Sequence, residues 1–317
     1  CIAIWNGTDW HPLNGNATRA FAFTTWDADG AGPEPVRLVA SGEFDGVDSV
    51  AYWDGETWQL IGQPAELPLS VTALATYDPD GPGSALPRLI ATGSSGYSSG
   101  RVIVQWDGAH WVGLGAPFAS PYAPEIRALT TFDPDDAGPA PLELIAGGQF
   151  STAGGVAANG IAAWNGSTWR PLNPSVGPAT VASIYALTTW DPDGAGPFLS
   201  RLIAVGGVSA PSTGSWPVAS WDGSAWSPVG GAFTQYALVR AVSTFDPDGA
   251  GPAHDLLIAF GNFFDAGGVP VRNIASWDGT EWRALGDGVR VMSGNSPVSL
   301  ATFDPDGAGL QPDRLIA

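Results

Sequence analysis

Three observations predict an all-β chain folded as a six-bladed β-propeller, with four antiparallel strands per blade and a last blade closed by both termini. The first is a tryptophan pair: "WNGTDW" (5–10) returns with its first Trp at 53, 106, 164, 221 and 277, and the second Trp always follows five residues later. These pairs account for 12 of the 15 Trp. The second is an acidic loop, "FDPDGAGP" (245–252), whose first Asp recurs at 27, 78, 133, 191, 246 and 304. Both ladders step by 48 to 58 residues and both count six. The third is the lack of any sustained helical period. Self-similarity at such a spacing marks a repeat architecture, and units of four short strands mark propeller blades.

Each strand of the unit follows from its residues. Strand one ends on an aromatic, as in "RALTTF" (127–132) and "RAVSTF" (240–245). Its penultimate residue is always Thr: Thr25, Thr76, Thr131, Thr189, Thr244 and Thr302. Four residues before the aromatic stands a small side chain: Ala22, Ala73, Ala128, Ala186, Ala241 or Ser299. Small residues suit the innermost strand of a ring. Strand two is apolar, "LELIAGG" (142–148) or "SRLIAVGG" (200–207); strand three is "GIAAW" (160–164) or "NIASW" (273–277); strand four is "WRPL" (169–172) or "WRAL" (282–285). Short runs bounded by Gly, Pro, Asp and Asn are strand signals. The acidic loop turns between strands one and two: Pro presets φ, Asp bonds following amides and Gly takes the left-handed position. "WDG" supplies the tight turn between strands three and four, with the two Trp meeting across it.

A solenoid is the other architecture open to such repeats, but the ends favour a ring. The chain opens with strands three and four ("CIAIW", "WHPL") and stops with strands one and two ("SLATF", "RLIA"). Together they make one blade, and closure leaves no open sheet edge. The expectation is one domain over 1–317 of a processed or partial chain, which starts at Cys1 and stops in mid-pattern.

Composition narrows the function classes. The net charge is −19, and all 12 basic residues are Arg. Such a chain is repelled by nucleic acid and by anionic membrane surfaces. No apolar run reaches membrane-spanning length. A single Cys excludes a disulfide framework and a Cys-based zinc site. His11, His110 and His254 occupy different repeat positions, so no metal trio or catalytic dyad stands out. The sequons "NGT" (6–8), "NAT" (16–18) and "NGS" (165–167) fit glycosylation acceptors.

Two sets of residues are candidate sites. Five residues before the closing aromatic, the repeat breaks into Phe21, Thr72, Arg127, Tyr185, Arg240 and Val298. Alternation puts them on one face of the inner strands, ringing a mouth of the central channel, where ligand sites are favoured. The second set is the acidic loops: Asp27, Asp29, Asp78, Asp80, Asp133, Asp135, Asp191, Asp193, Asp246, Asp248, Asp304 and Asp306. The D-x-D-G pattern belongs to many calcium loops, although calcium takes six to eight oxygens and each loop offers two carboxylates. Turns one–two and three–four share an edge, so Asp54, Asp107, Asp222 and Asp278 join the loops in one acidic face.

The composite "GGQFSTAGGVAANGIAAWNGSTWRPLN" (147–173) and its copy "FGNFFDAGGVPVRNIASWDGTEWRALGDGV" (260–289) resemble the repeats of large bacterial, planctomycete-type surface proteins. They are also similar to the repeats of fungal cortical polarity-marker proteins and, distantly, to Kelch repeats. The other links between strands two and three are altered, as in "SGEFDGVDSVAYW" (41–53). The resemblance implies an extracellular or cell-surface propeller and supplies no catalytic residues. The leading expectation is thus a non-enzymatic structural and binding module presenting variable loops to a protein or glycan partner, with calcium as a candidate ion. The alternatives are a glycan-active hydrolase or lyase with its site at the channel mouth, and a self-assembling subunit of a surface filament or layer.

Overall fold

The computed structural model describes every residue except 1, 6–9, 14, 31, 69, 81–84, 95–101, 122, 137, 173–182, 195–197, 211–213, 234–236, 249–253, 291–299, 304–313 and 317. Among the described residues the only helix is a 3-10 turn at Pro64–Glu66, and no helix is long and apolar enough to cross a membrane. The rest is antiparallel sheet.

A hairpin comes first, β1 (Ala3–Trp5) with β2 (Trp10–Pro12). Sheet one is β3 (Ala17–Trp26), β4 (Arg37–Phe44), β5 (Val47–Trp53) and β6 (Trp58–Leu60). Sheet two is β7 (Ser70–Tyr77), β8 (Arg88–Ser94), β9 (Ile103–Trp106) and β10 (Trp111–Gly113). Sheet three is β11 (Glu125–Phe132), β12 (Glu143–Gln149), then a two-residue hairpin of β13 (Thr152–Ala153) and β14 (Val156–Ala157), then β15 (Ile161–Trp164) and β16 (Trp169–Pro171). Sheet four is β17 (Ile184–Trp190), β18 (Arg201–Ala210), β19 (Gly214–Trp221) and β20 (Trp226–Pro228). Sheet five is β21 (Leu238–Phe245), β22 (Leu256–Asn262), the small hairpin β23 (Asp265–Ala266) and β24 (Val269–Pro270), then β25 (Ile274–Trp277) and β26 (Trp282–Ala284). A last hairpin pairs β27 (Ala301–Phe303) with β28 (Arg314–Ile316). Each full sheet is a four-stranded meander, with the hairpins β13–β14 and β23–β24 paired apart from it so that β12 bonds β15 and β22 bonds β25, and sheets two and three are joined where Glu125 faces Ser94. The strands fall within a few residues of those read from the repeat.

The chain divides into two compact units, 1–131 with 141–181, and 132–140 with 182–317. The first holds the opening hairpin and sheets one to three; the second holds sheets four and five and the last hairpin. In both, strand two of each sheet is its dry centre. Val39–Ala40, Leu89–Ala91, Leu144–Ala146, Leu202–Val205 and Leu257–Ala259 are fully buried. A strand covered on both faces reads as a continuous apolar run rather than an alternating one. Inner strands lie side by side, β3 against β7 in the first unit and β17 against β21 in the second.

The tryptophan pairs lock successive sheets. Each pair is directly opposed across its turn, with ring centroids 5.3–5.6 Å apart in the five described pairs. A glycine in left-handed conformation follows strand four of the preceding sheet, and the pair closes over it: Gly62 (φ 71°) under Trp106 and Trp111, Gly115 (φ 74°) under Trp164 and Trp169, Gly230 (φ 58°) under Trp277 and Trp282. The second Trp donates its indole N–H to the carbonyl just before that glycine: Trp111 to Ile61 at 2.6 Å, Trp169 to Leu114 at 2.9 Å and Trp282 to Val229 at 3.2 Å. At Gly15 the closure under Trp53 and Trp58 is looser, and the indole N–H of Trp58 has no acceptor among the described residues.

Two penalties therefore meet at Gly230. A β-carbon would lie 2.2 Å from Trp277 Cζ3 and 2.4 Å from Trp282 Nε1, and φ is positive. Gly230→Ala is expected to cost about 3 kcal/mol or more, from overpacking plus left-handed strain. Gly268→Ala, at φ 86° with open space around it, carries the strain alone and should cost about 1 kcal/mol. Urea denaturation of both variants checks this; equal losses would mean the Trp pair does not set the packing.

Candidate functional site

The inner-strand candidates sit on a shared backbone irregularity. Against strand two, the register of strand one skips at Phe21, Thr72, Tyr185 and Arg240, a β-bulge at the same repeat position each time. The bulge brings the carbonyl two residues upstream onto a strand-two glycine. A β-carbon on Gly42, Gly93, Gly148, Gly206 or Gly261 would lie 1.7–2.1 Å from the carbonyl oxygen of Arg19, Ser70, Glu125, Ser183 or Leu238. The uninterrupted alternation expected of strand one is thus broken at the position where the repeat varies.

The side chains there differ in what they meet. Thr72 donates to the Ile126 carbonyl at 2.9 Å, tying β7 to β11. Arg127 pairs with Glu125 at 2.7 Å and reaches Gln149 Oε1. Arg240 lies over the Tyr185 ring, 5.2 Å from its centroid, and its Nε is buried without an acceptor among the described residues. Phe21 is 49% exposed, with Arg19 over its ring. Thr72 is thus joined to β11, and Tyr185 to Arg240; Val298 lies outside the described residues.

The acidic loops use most of their oxygens on themselves. The first Asp accepts the amide of the second in every described copy: Asp27 from Asp29, Asp78 from Asp80, Asp133 from Asp135, Asp191 from Asp193 and Asp246 from Asp248, at 3.0–3.3 Å. The second Asp then accepts the amide five residues on: Asp29 from Glu34, Asp80 from Ala85, Asp135 from Ala140 and Asp193 from Phe198. These are the bonds of an Asp-capped turn. The other oxygen of Asp29, Asp135 and Asp193 is buried with no hydrogen-bond partner among the described residues. Burial, and then the neighbouring Asp135 carboxylate, push Asp133 above the usual carboxylate range against the pull of the Asp135 amide. Among the described residues no three His, Cys, Asp or Glu side chains group as a metal site; Asp304 and Asp306 lie outside them.

The turns between strands three and four work alike. Asp54, Asp107, Asp222 and Asp278 each accept the amides two and three residues on, and Asn165 does the same in sheet three. Those amides hold Asp54, Asp107 and Asp222 below the ordinary Asp value. At Asp278 burial opposes ionisation, but the Thr280 hydroxyl, the Glu281 and Thr280 amides and Arg283 outweigh it and bring the carboxyl down to about 2.

Sequence reasoning passed over a third feature. The residue opening strand two is a diagonal neighbour of a cross-strand pair on strands three and four. In sheet one Arg37 stacks on Tyr52, 4.6 Å from its centroid. In sheet two Arg88 donates to Gln105 at 3.2 Å, and in sheet three Glu143 pairs with Arg170. In sheet four the pair is Ser220 and Ser227, their hydroxyls 3.0 Å apart. A cavity of about 250 Å³ opens there, lined by Arg201, both serines, Trp190, Phe198 and Trp277. The only signal in the sequence is a pair that is small on both strands, where the other full sheets carry Tyr–Gln, Gln–Val, Ala–Arg and Ser–Arg.

No protein-family model matches the chain, and no curated protein matches its sequence. Among solved structures the chain is similar to the crystal structure of BBS1N in complex with ARL6DN, soaked with lead, at 12% identity and a TM-score of 0.43, over 96% of this chain and 91% of that one.

The low pKa of Asp278 has a pH signature. A carboxyl ionised down to about 2 when folded, against roughly 3.9 unfolded, adds stability above pH 4 that is lost as pH falls through 2. Asn165 shows that Asn keeps the turn's amide bonds. Asp278→Asn should therefore shrink the drop in melting temperature between pH 4 and pH 2. Parallel profiles for the two proteins would show that the charge contributes nothing.

Proposed function

We propose that the chain is a six-bladed propeller acting as a non-enzymatic binding module on the cell surface or outside the cell, presenting its unrepeated parts to a protein or glycan partner. One observation carries this reading: the recurring polar groups are spent on folding, the Asp on turn amides and the indole N–H of Trp111, Trp169 and Trp282 on the preceding sheet. What varies is the bulge side chain and the link between strands two and three. That link is the two-residue turn Asp45–Gly46 in sheet one, extended strands in sheet four and an extra hairpin in sheets three and five. In an array whose repeated residues serve packing, recognition falls to residues that differ between copies.

The sixth blade would come from the two end hairpins. β1–β2 sets Trp5 opposite Trp10, as strands three and four do elsewhere, and β27–β28 sets Phe303 opposite Arg314, as strands one and two do. Gly286 repeats the left-handed glycine after strand four, with φ 53° and open space above it. By the register of β22 on β25, Ile316 would face Ile4. With Cys1 changed to Ser, Ile4→Cys and Ile316→Cys should form an intramolecular disulfide on mild oxidation, because opposed strand residues lie within disulfide reach. Failure to cross-link in the folded protein, seen by peptide mapping, would remove the closed ring.

The acidic edge is a second surface of the module, and calcium is the cation it would take. The buried, unpartnered oxygens of Asp29, Asp135 and Asp193 favour this, with most of the six to eight ligands coming from water and backbone. Binding itself is tested at the bulge. Arg127→Ala with Arg240→Ala should weaken capture on a glycan and ectodomain array at least tenfold while leaving the melting temperature within a few degrees. Unchanged capture would take recognition away from these positions.

A further inference from the structure

We propose that the cavity beside Arg201 in sheet four is a binding site for one neutral pyranose unit of a glycan. This rests on the binding-module reading and gives it a place and a chemistry that the bulge residues do not.

The cavity exists because one repeat departs from the others. Where sheet one carries Tyr52 and Gln59, sheet four carries Ser220 and Ser227. Sheet one fills the space with Tyr52 under Arg37, and sheet two with Gln105 bonded to Arg88. In sheet four nothing of that bulk replaces them. Arg201 is half-buried and lines this cavity. Its charge is felt by Asp222, whose pKa it helps to lower. None of the Arg201 guanidinium nitrogens is buried without a partner, so its donors are open to water or to a ligand that supplies oxygen.

The lining fits a sugar. Trp277 and Phe198 give aromatic surface, Phe198 at 63% exposed, and the C–H face of a pyranose lies flat on such rings. The two serine hydroxyls donate and accept, and Arg201 donates in a fork, which matches vicinal hydroxyls. A volume near 250 Å³ lies under the roughly 300–1,000 Å³ of drug-sized pockets; it suits one ring with the rest of the chain outside.

Charge decides between neutral and acidic ligands. Gly279 and Pro192 on the rim belong to the turn of Asp278 and the loop of Asp191 and Asp193. Asp222 offsets Arg201, and the chain carries −19 overall. A uronate or a peptide carboxylate would meet that field on approach, whereas a neutral hexose meets only the donors and the rings.

The test is saturation-transfer NMR and calorimetry on the intact chain with glucose, galactose, mannose and N-acetylglucosamine, free and as short oligosaccharides. Binding is expected with a dissociation constant on the order of 1 mM for the best of them, a normal strength for a single small ring. Ser220→Tyr, which copies Tyr52 of sheet one, should fill the cavity and weaken binding at least tenfold with the melting temperature unchanged. Phe198→Ala should weaken it severalfold, and Phe198→Tyr should retain it. No binding by the unmodified protein, or equal binding by Ser220→Tyr and Phe198→Ala, overturns the site. So does preference for glucuronate or an acidic peptide. Loss of array capture by the bulge variants alone would leave the module reading standing without this cavity.

Discussion

The structure hangs on a tryptophan pair closing over a left-handed glycine. A hairpin alone is marginal in water, and each strand-four stub here is only three residues long. The pair extends the reach of the stub. Two large rings opposed across the turn cover the end of the preceding sheet, and an indole N–H ties that sheet's last carbonyl. A step of five from the first Trp to the second, with four residues between, makes them direct cross-strand partners. Glycine is needed beneath for two independent reasons, a positive φ and the lack of room for a β-carbon.

A second constraint works at the opposite end of the sheet, on strand one. The bulge there pushes a carbonyl onto strand two, and only glycine can receive it. The two glycines have opposite relations to function. The one under the Trp pair serves packing alone. The one facing the bulge permits a kink, and the kink carries a side chain that is not repeated among Phe21, Thr72, Tyr185 and Arg240. Bulges commonly re-aim a side chain. The fold therefore keeps its variable position at a place where backbone irregularity is already accommodated.

What could be read in advance follows from which cause was local. The strands, the Asp–Pro–Asp–Gly turn and the Trp pairing rest on neighbours in sequence, and their residues state them openly. The bulge depends on register between two strands, so alternation along "RAVSTF" gave no sign of it. The glycine at 42, 93, 148, 206 and 261 was visible as part of a motif, but its reason is a carbonyl from strand one. The Arg201 cavity was least legible. It arises from side chains missing at Ser220 and Ser227, and absence of bulk leaves no motif.

That last point bears on how repeat proteins hold function. Natural selection on packing makes copies alike, because each sheet must present the same surface to the next. A residue that differs in one copy either is tolerated there or has been kept for something else. At two such positions the local structure answers the change: Arg170 pairs with Glu143, and Glu125 with Arg127. At Arg201 the serines beside it bond each other, and Asp222 answers it through charge alone. A guanidinium in a cavity walled by aromatic rings has donors that a ligand can use. The chemistry of the lining says what such a partner must offer: hydroxyls on one edge and an apolar face on the other.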